Sequence, residues 1–403
     1  MHKSSFHTNP ACFSLLILML LMPAGCSQTS TPNGRAYSYT DGSPRFSIVR
    51  SSDNLTLGVT PEGSLTTDGS TIFGRVQNGG KYGGGVTFSI GSGIPVYNVL
   101  HNFGGTEDIA YPRHDAMIIA GDMLYGMVMG NDTTDLGGIF AHDKSGNNYR
   151  VLHRFTGGAQ DGKKPHSCPR LNPEDGMLYG MTELGGANDT GTLFRINTDG
   201  TGFELLHSFS TDTDGSNSHG AVTFNGSILY GVALKGGASS KGTVFSFNTA
   251  DYTYNVVHAF AGAPGDGASP EHSNALLING RLYGTTTKGG ANDDGAIWTM
   301  LTDGTDYKLL YSFKGSTDGS CPLGSLMYDS SSSTFYGLNS GYNGGGATLY
   351  SLTMSGVFTT LHNFDSSLTC IDNVILLNGY LWGMARSSDG SGSINWVIFS
   401  YRL

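Results

Sequence analysis

The chain has 403 residues, a formal net charge of -10, 61 glycines and only 13% charged residues. Such an acidic chain is a poor partner for nucleic acid, because phosphate binding requires a basic face. Low charge combined with 11% aromatic residues also excludes a largely disordered protein, which is typical of the opposite balance.

An apolar segment near the start of the chain indicates export. The run over 11–22 is too short to span a bilayer and has the length of a signal-peptide core. It ends in the sequence MPAGC at 22–26, which resembles a bacterial lipobox with Pro where that pattern prefers Leu. We predict a signal peptide over 1–25, lipidation of Cys26, and a polar tether over 26–45 without a packing pattern. These features predict an outer-membrane or cell-surface lipoprotein; the alternative is ordinary cleavage and free secretion.

Beyond the tether the chain is repetitive. A phrase of an aromatic residue followed by glycine occurs seven times, at intervals of 46–54 residues. The glycines are Gly74, Gly126, Gly180, Gly231, Gly284, Gly337 and Gly383. A period of this length is the signature of a repeat architecture, so 46–403 is predicted to be one repeat domain.

The third repeat shows how one unit is built. Short segments separated by turns rich in Gly, Asp and Pro are typical of an antiparallel four-stranded meander. The segments lie at 167–171, 177–183, 192–197 and 203–209. Four strands in each of seven units predict a seven-bladed β-propeller.

The fourth segment of each unit carries regularly spaced aromatic and histidine residues. In the first unit Tyr97, Val99, His101 and Phe103 alternate with other residues, so they are expected to face one way together. We predict a structural role for the histidines that recur in this segment, each bonded to a nearby loop while its ring packs. They are His101, His153, His207, His258 and His362.

The seventh unit ends after its third strand, and the missing strand is available at the other end of the domain. Residues 46–50 resemble the outer-strand pattern and precede the first complete unit. We predict that they pair with 396–401, which closes the ring and removes two strand edges. The predicted fold is therefore all-β, a seven-bladed propeller of four-stranded antiparallel blades completed by the N-terminal strand.

Two phrases carry a family resemblance. LYGMTELGGANDTGTLF at 178–194 and LYGTTTKGGANDDGAIW at 282–298, with Leu-His-x-Phe endings of the units, resemble GloVer repeats. Those repeats occur in tandem in exported bacterial proteins. The resemblance covers roughly 46–403 and implies an extracellular or cell-surface location. It implies no chemistry and no catalytic residues.

A second set of histidines departs from the repeat pattern. His114, His219 and His272 each stand twelve residues before a phrase glycine, where Cys168 stands in the third unit, with His166 two residues earlier. Innermost strands converge on a central channel, so these residues are predicted to meet at its mouth. Three neutral imidazoles with an open position are what a catalytic Zn or Mn site needs. The alternative is a polar channel lining without a metal.

Basic residues accompany this set. Arg113, Lys163, Lys164 and Arg170, with His166, are predicted to bind a ligand, because guanidinium groups recognise carboxylates well.

Other polar residues have less specific interpretations. The carboxylates Glu62, Asp115, Glu271 and Asp372 are too dispersed in the sequence to be assigned acid and base roles. The aspartates of the recurring Asp-Gly turns, Asp161, Asp214, Asp266 and Asp318, are predicted to cap those turns. A disulfide between Cys321 and Cys370 is left open.

Two functions from different classes remain. The first is a non-catalytic surface module that binds an extracellular glycan or protein on the loop-rich face, since no Gly-x-Ser-x-Gly, His-Glu-x-x-His or P-loop motif occurs. The second is a metal-assisted polysaccharide lyase acting on uronic-acid polymers, in which His114, His219, His272 or Tyr111 removes a proton. Seven-bladed uronate lyases with channel histidines are known, so the second rests on an analogy of fold. A purely structural envelope protein is a third alternative.

Overall fold

The computed structural model describes residues 27–31, 34–38, 45–52, 55–91, 96–131, 133–210, 214–340, 346–370, 372–388 and 394–403. The predicted signal peptide and Cys26 lie outside the described residues. Within the described ranges, no helix is long and apolar enough to cross a membrane.

Strands β1 (Ser27–Thr31) and β2 (Gly34–Ser38) pair antiparallel in the region predicted to be a tether. Threonines in the first strand and an Asn-Gly pair whose glycine begins the second are typical of a β-hairpin. A single turn of 3-10 helix follows the next strand at Leu55–Leu57.

Seven antiparallel sheets account for most of the described chain. The first three are as follows. Blade one contains β4 (Thr66–Thr67), β5 (Thr71–Val76), β6 (Val86–Gly91) and β7 (Tyr97–Asn102). Blade two contains β8 (Ile118–Ala120), β9 (Met123–Val128), β10 (Gly138–Asp143) and β11 (Arg150–Arg154). Blade three contains β13 (Arg170–Leu171), β14 (Met177–Thr182), β16 (Thr192–Asn197) and β17 (Glu204–Ser208).

The next three sheets repeat the order. Blade four contains β18 (Thr223–Asn225), β19 (Ile228–Ala233), β20 (Thr243–Asn248) and β21 (Tyr254–Ala259). Blade five contains β23 (Leu276–Ile278), β24 (Arg281–Thr286), β26 (Ala296–Leu301) and β27 (Lys308–Ser312). Blade six contains β28 (Met327–Asp329), β29 (Thr334–Asn339), β30 (Thr348–Thr353) and β31 (Phe358–Asn363). In blades three and five, a short ladder joins the link that enters the blade to the loop after its second strand. These ladders are β12 (Gly162–Lys163) with β15 (Leu184–Gly185) and β22 (Gly267–Ala268) with β25 (Lys288–Gly289).

Blade seven joins the two ends of the domain. It contains β33 (Ile375–Leu377), β34 (Tyr380–Ser388), β35 (Ile394–Arg402) and the N-terminal β3 (Phe46–Ser52), with β32 (Leu368–Cys370) beside β34. Phe46 pairs with Tyr401 and Ile48 with Phe399 in an antiparallel register. The predicted closure and the seven-bladed propeller are therefore confirmed.

The recurring glycine has one physical cause. In blade three Gly180 pairs across the sheet with Phe194, and a Cβ added to Gly180 would lie 2.5 Å from the Phe194 ring. The aromatic ring of the third strand thus lies flat over the second strand, where only glycine fits. An equivalent aromatic stands opposite each of the other six phrase glycines.

The core consists of seven apolar clusters, one between each pair of neighbouring blades in the described chain. Each outer strand serves two clusters, because a β-bulge shifts its register. Tyr97 and Val99 pack toward blade seven, whereas Leu100 and Phe103 pack toward blade two. The prediction that Tyr97, Val99, His101 and Phe103 share one face is therefore wrong, since one extra residue reverses the side-chain alternation.

The first strand of blade three is also shorter than predicted. It begins at Arg170, not at residue 167. Pro169 has no backbone N–H to donate to a neighbouring strand, so the ladder begins after it.

The outer histidines make the same contact with the next blade in blades one to four and in blade six, and Tyr311 takes this position in blade five, where it stacks on Phe358. His153 stacks on Phe203 of the next blade with 3.9 Å between ring centroids and lies 3.1 Å from the carboxylate of Asp161. At the closure His362 stacks on Phe46, 4.0 Å away. We call the set His101, His153, His207, His258 and His362 the outer histidine ring. Its predicted structural role is confirmed.

The aspartates that hold these rings also cap turns. Asp266 accepts hydrogen bonds from the backbone N–H groups of Ala261 and Gly267 and from Tyr307 and His258. This matches the prediction that the Asp-Gly aspartates cap their turns. No disulfide joins Cys321 and Cys370, and Cys168 is likewise outside any disulfide.

Candidate metal centre

The links between blades bring four histidines to the hub. Each link leaves the outermost strand of one blade and enters the innermost strand of the next, so it crosses the loop-rich face from rim to centre. His114, His166, His219 and His272 precede the innermost strands of blades two, three, four and five. All four side chains are buried. We call this set the imidazole cluster.

The rings of the imidazole cluster lie against one another in two parallel pairs. The ring centroids of His114 and His272 are 3.8 Å apart, and those of His166 and His219 are 4.0 Å apart. The pairs are joined by separations of 5.3 Å, between His114 and His166 and between His219 and His272. Four imidazoles therefore fill one small volume at the channel.

Most nitrogens of the imidazole cluster have no hydrogen-bond partner. The Nδ1 atoms of His114 and His166 and both ring nitrogens of His219 and His272 are buried and unpartnered. Buried polar atoms are normally hydrogen-bonded, because leaving one unpaired costs about 1–3 kcal/mol. Six such atoms make the imidazole cluster a candidate site for a ligand that binds imidazole nitrogen.

Carboxylates surround the imidazole cluster. Nε2 of His166 lies 3.0 Å from one oxygen of Glu183, and Nε2 of His219 lies 3.8 Å from the other. Nε2 of His114 lies 3.8 Å from Glu62. Carboxylates in this position fix the histidine tautomer and leave the opposite nitrogen free to coordinate a metal.

Three overlapping groups have ligand atoms within 4.8 Å of one another. They are His114, His166 and His272; His166, Glu183 and His219; and His219, Glu271 and His272. The first group offers three imidazoles, which is a common ligand set for catalytic zinc.

The pKa values favour the metal-binding forms of these groups. Burial, then the neighbouring imidazoles, hold the pKa of His114 and that of His272 well below the usual value. Burial and His219 lower the pKa of His166 to about 4, although Glu183 raises it. Burial raises the pKa of Glu183, but the short contact with His166 and the electrostatic attraction of His166 and His219 outweigh it, and the net pKa is lowered. Neutral imidazoles beside an ionised carboxylate result.

A buried arginine positions the His114 loop. His114 and Asp115 both have left-handed backbone, with φ values of 31° and 62°. Such residues cost of order 1–3 kcal/mol each and persist only when their surroundings hold them. The Arg75 guanidinium donates to the carbonyls of Arg113 (2.5 Å), His114 and Asp115 (2.9 Å). Arg170 binds the Asp115 carboxylate at 2.8 Å. The loop is therefore fixed from two sides.

The structure brings some of the predicted site residues together and places others elsewhere. His114, His219 and His272 lie together, as predicted, and His166 occupies the fourth position, where Cys168 was predicted. The Cys168 thiol is buried and none of the three ligand groups includes it; its backbone N–H faces Asp115 at 3.4 Å.

The predicted basic arc is largely engaged in ion pairs. Arg113 lies beside the imidazole cluster, 3.3 Å from Glu62, which also binds Arg386. Lys163 pairs with Asp189 at 2.8 Å, so it points to a neighbouring loop and not to the hub. Lys164 has left-handed backbone, and its N–H donates to Leu136. Tyr111 lines a separate cavity between blades one and two.

Sequence reasoning missed Glu183, Arg386 and Arg75. Glu183 and Arg386 occupy the third position after a phrase glycine, at the end of the second strand, where the chain reaches the hub. The seven residues at this position are Gln77, Met129, Glu183, Leu234, Thr287, Ser340 and Arg386. The scattered polar residues among them were a usable signal.

Comparisons with known proteins place this fold in a family. A family model described as the Gloeobacter/Verrucomicrobia repeat matches residues 24–227 and 171–398, and the chain belongs to that family. No curated protein matches the chain.

Two of the similar solved structures cover most of this chain. An oligogalacturonate lyase in complex with manganese has a TM-score of 0.59 at 13% identity, covering 95% of this chain and 97% of that one. A putative 6-phosphogluconolactonase from Bacteroides uniformis has a TM-score of 0.51 at 15% identity, covering 81% and 93%. At these identities the likeness shows the fold alone.

Proposed function

We propose that this repeat-family propeller is a metal-dependent lyase that acts on uronic-acid polymers, with a divalent metal such as Zn or Mn at the imidazole cluster. One observation carries the proposal: four buried imidazoles face one another with nitrogens that have no partner. A purely structural channel lining would have satisfied those atoms, as the outer histidine ring does.

The residues present fit a metal ion. His114, His166 and His272 form the all-imidazole group, and the first two have free Nδ1 atoms opposite carboxylates on their Nε2 side. We propose these three as ligands. Glu62 and Glu183 would then be the outer carboxylates that orient the ligands and raise their basicity.

The remaining side chains fit β-elimination next to a carboxylate. A metal bound there would draw electron density from the substrate carboxylate and so acidify the neighbouring C–H. His219 would accept that proton at a ring nitrogen, and Glu183, 3.8 Å from its Nε2, would stabilise the resulting imidazolium. The electron pair of the C–H bond would form a carbon–carbon double bond while the glycosidic C–O bond breaks. The electron pair of the C–O bond would leave with the oxygen, which takes a proton from water to become the hydroxyl of the released sugar. Arg113, whose side chain is 32% exposed beside His114, would bind the carboxylate.

The similar lyase structure supports this proposal. That protein is an oligogalacturonate lyase in complex with manganese, and the two chains share the propeller over nearly their whole length. The ligand set proposed here comes from this chain's own residues.

The test combines metal analysis with a product assay. The purified protein should retain about one Zn or Mn per chain after dialysis and should form an ultraviolet-absorbing unsaturated product from polygalacturonate. His219→Ala should keep the metal and lose the product, whereas His114→Ala should lose both. Absence of metal together with absence of product would refute the lyase. Saturable polymer binding with neither would favour the non-catalytic surface module.

Export and lipid anchoring belong to the same proposal and are supported only by the sequence of residues 1–26. Expressed in a Gram-negative host, the wild-type chain should fractionate with membranes, and Cys26→Ser should move it to the soluble exported fraction. Recovery of both proteins in the same fraction would count against lipidation.

A further inference from the structure

A cleft between blades one and two lies on the same face as the imidazole cluster. Its volume is about 650 Å³, within the range of pockets that hold drug-sized ligands. Tyr82 and Gly84 line it from blade one, Asn131 and Asp135 from blade two, and Tyr111 from the link between the blades. No residue of the cleft belongs to the candidate metal centre.

The segment that links blade one to blade two runs along the cleft. Gly104, Gly105, Asp108 and Tyr111 follow one another along the segment that crosses from the outer strand of blade one to the hub. Three residues beyond Tyr111 the same segment supplies His114 to the imidazole cluster. The cleft therefore lies along a radial path that ends at the proposed metal site.

The blade-one loop departs from the repeat to make this opening. In blades three and five the equivalent loops place Asn188 and Asn292 over the outer strand, where each side chain donates to a backbone carbonyl at 3.0 and 3.2 Å. Blade one has Tyr82 at that position, followed by three glycines. The substitution removes side chains that would fill the cleft and adds an aromatic ring.

The aromatic ring of Tyr82 is held at the surface. Tyr82 is 51% exposed, although large aromatic residues are normally covered. A Cβ on Gly105 would lie 3.3 Å from the ring, so glycine lets the backbone support it. Tyr111 lies at the inner end of the cleft. At the equivalent left-handed position, blades one, three, four, five and six have polar or small residues in place of an aromatic ring.

Cations flank the cleft, and its two carboxylates are engaged: Asp108 accepts from His101 and Tyr149, and Asp135 accepts from the backbone N–H groups of Ala110 and Gly137. The Lys81 ammonium lies 4.9 Å from the centre of the Tyr82 ring. At the other wall Arg154 donates to the backbone carbonyls of Glu107 and Asp108, so its charge is bound to neutral acceptors. Aromatic rings with nearby cations suit a ligand that has both apolar ring faces and carboxylates.

We infer that this cleft binds the extended part of an acidic saccharide chain, with Tyr82 and Tyr111 contacting sugar rings and Lys81 and Arg154 attracting their carboxylates. The choice of an acidic saccharide rests on the proposed function. The cleft then accounts for how a polymer reaches the hub, since its remote units bind along the link while one unit lies at the imidazole cluster.

The experiment measures binding by calorimetry, using the full chain with and without a chelator. The probes are hexagalacturonate, digalacturonate and a neutral glucose hexamer. The wild type should bind hexagalacturonate more tightly than digalacturonate, and Tyr82→Ala should weaken only the hexamer, by about three- to tenfold. Tyr252→Ala is the matched control, because Tyr252 is a 44% exposed tyrosine on a third-to-fourth strand turn, away from the cleft.

Two readouts separate this inference from the proposed function. Metal content should be unchanged in Tyr82→Ala, and chelation should leave the Tyr82 effect on hexamer binding intact. A metal-free wild type that shows the Tyr82-dependent hexamer preference would refute the lyase and retain the cleft. Equal hexamer affinity of wild type and Tyr82→Ala, equal binding of the neutral hexamer, or no binding of any probe would overturn the cleft assignment.

Discussion

The outer histidine ring and the imidazole cluster use the same side chain in opposite ways. Both stack rings at similar distances, 3.9 Å between His153 and Phe203 and 3.8 Å between His114 and His272. In the outer ring, however, Asp108, Asp161, Asp214 and Asp266 bind the Nε2 atoms of four of the five histidines. In the imidazole cluster six buried nitrogens have no partner.

The difference teaches how to separate structure from function in a repeat protein. A residue repeated in nearly every blade with its partner serves the architecture. A residue that departs from the repeat in a few adjacent blades and lacks its partner indicates a site. The cleft residue Tyr82 follows the second rule, because it replaces a loop asparagine that other blades use for a backbone hydrogen bond.

The largest expected effect is the loss of metal from the hub. Replacing His272 by Phe keeps a stacking ring but removes two nitrogens, so metal content should fall from about one to below about a tenth per chain. His258→Phe, in the outer ring, should leave metal content unchanged while lowering stability. Mass spectrometry of the folded proteins measures both. Equal metal content in the two variants would erase the distinction between the histidine sets.

The contact between Phe46 of the closing N-terminal strand and His362 should contribute strongly to stability. Phe46 is 3% exposed and stacks on His362 and against Phe364 and Phe399. Phe46→Ala should lower the free energy of unfolding by about 3–5 kcal/mol in urea titrations, without changing metal content. The exposed Val357→Ala gives the surface baseline. A cost below about 1 kcal/mol for Phe46→Ala would mean that the closing strand adds little to the fold.

The carboxylates of the two regions should also differ. Glu183→Gln removes the charge that fixes His166, so metal affinity should fall about 10- to 100-fold in a competition assay with a chromogenic chelator. Asp214→Asn, the matched change beside His207, should leave metal affinity as it is. A larger loss of metal affinity in Asp214→Asn than in Glu183→Gln would contradict the placement of the metal at the imidazole cluster.

The smallest expected effect is on the loss of folding stability at low pH. Burial raises the pKa of Asp266, but hydrogen bonds from His258, Tyr307 and the backbone outweigh it and lower the pKa. Its stabilisation is therefore complete above an unfolded pKa of about 4 and is lost as pH falls through the lower folded pKa. Asp266→Asn should cost about 1–3 kcal/mol at pH 7 and show a shallower loss of stability between about pH 4 and 2. An unchanged slope would place the acid sensitivity elsewhere.

The sequence was sufficient for the architecture because periodicity and turn chemistry recur in every blade. Phe46 and residues 396–401 could be paired from the missing strand alone. The bulge that splits the outer strand at Leu100 could not be predicted, since it depends on contacts with two neighbouring blades. The histidines of the hub were identifiable by their departure from the repeat. Their partner Glu183 also departs from the repeat, but its contact with His166 could not be predicted, because the two residues come from the ends of different segments that only the folded blade brings together.

The pairing of Phe46 with Tyr401 has a consequence for how the molecule is made. The strand that leaves the ribosome first among the propeller elements finds its neighbour only when the last residues have been synthesised. Until then the outer edge of the seventh sheet and the free N-terminal strand are both unpaired, in a state that other chains can join.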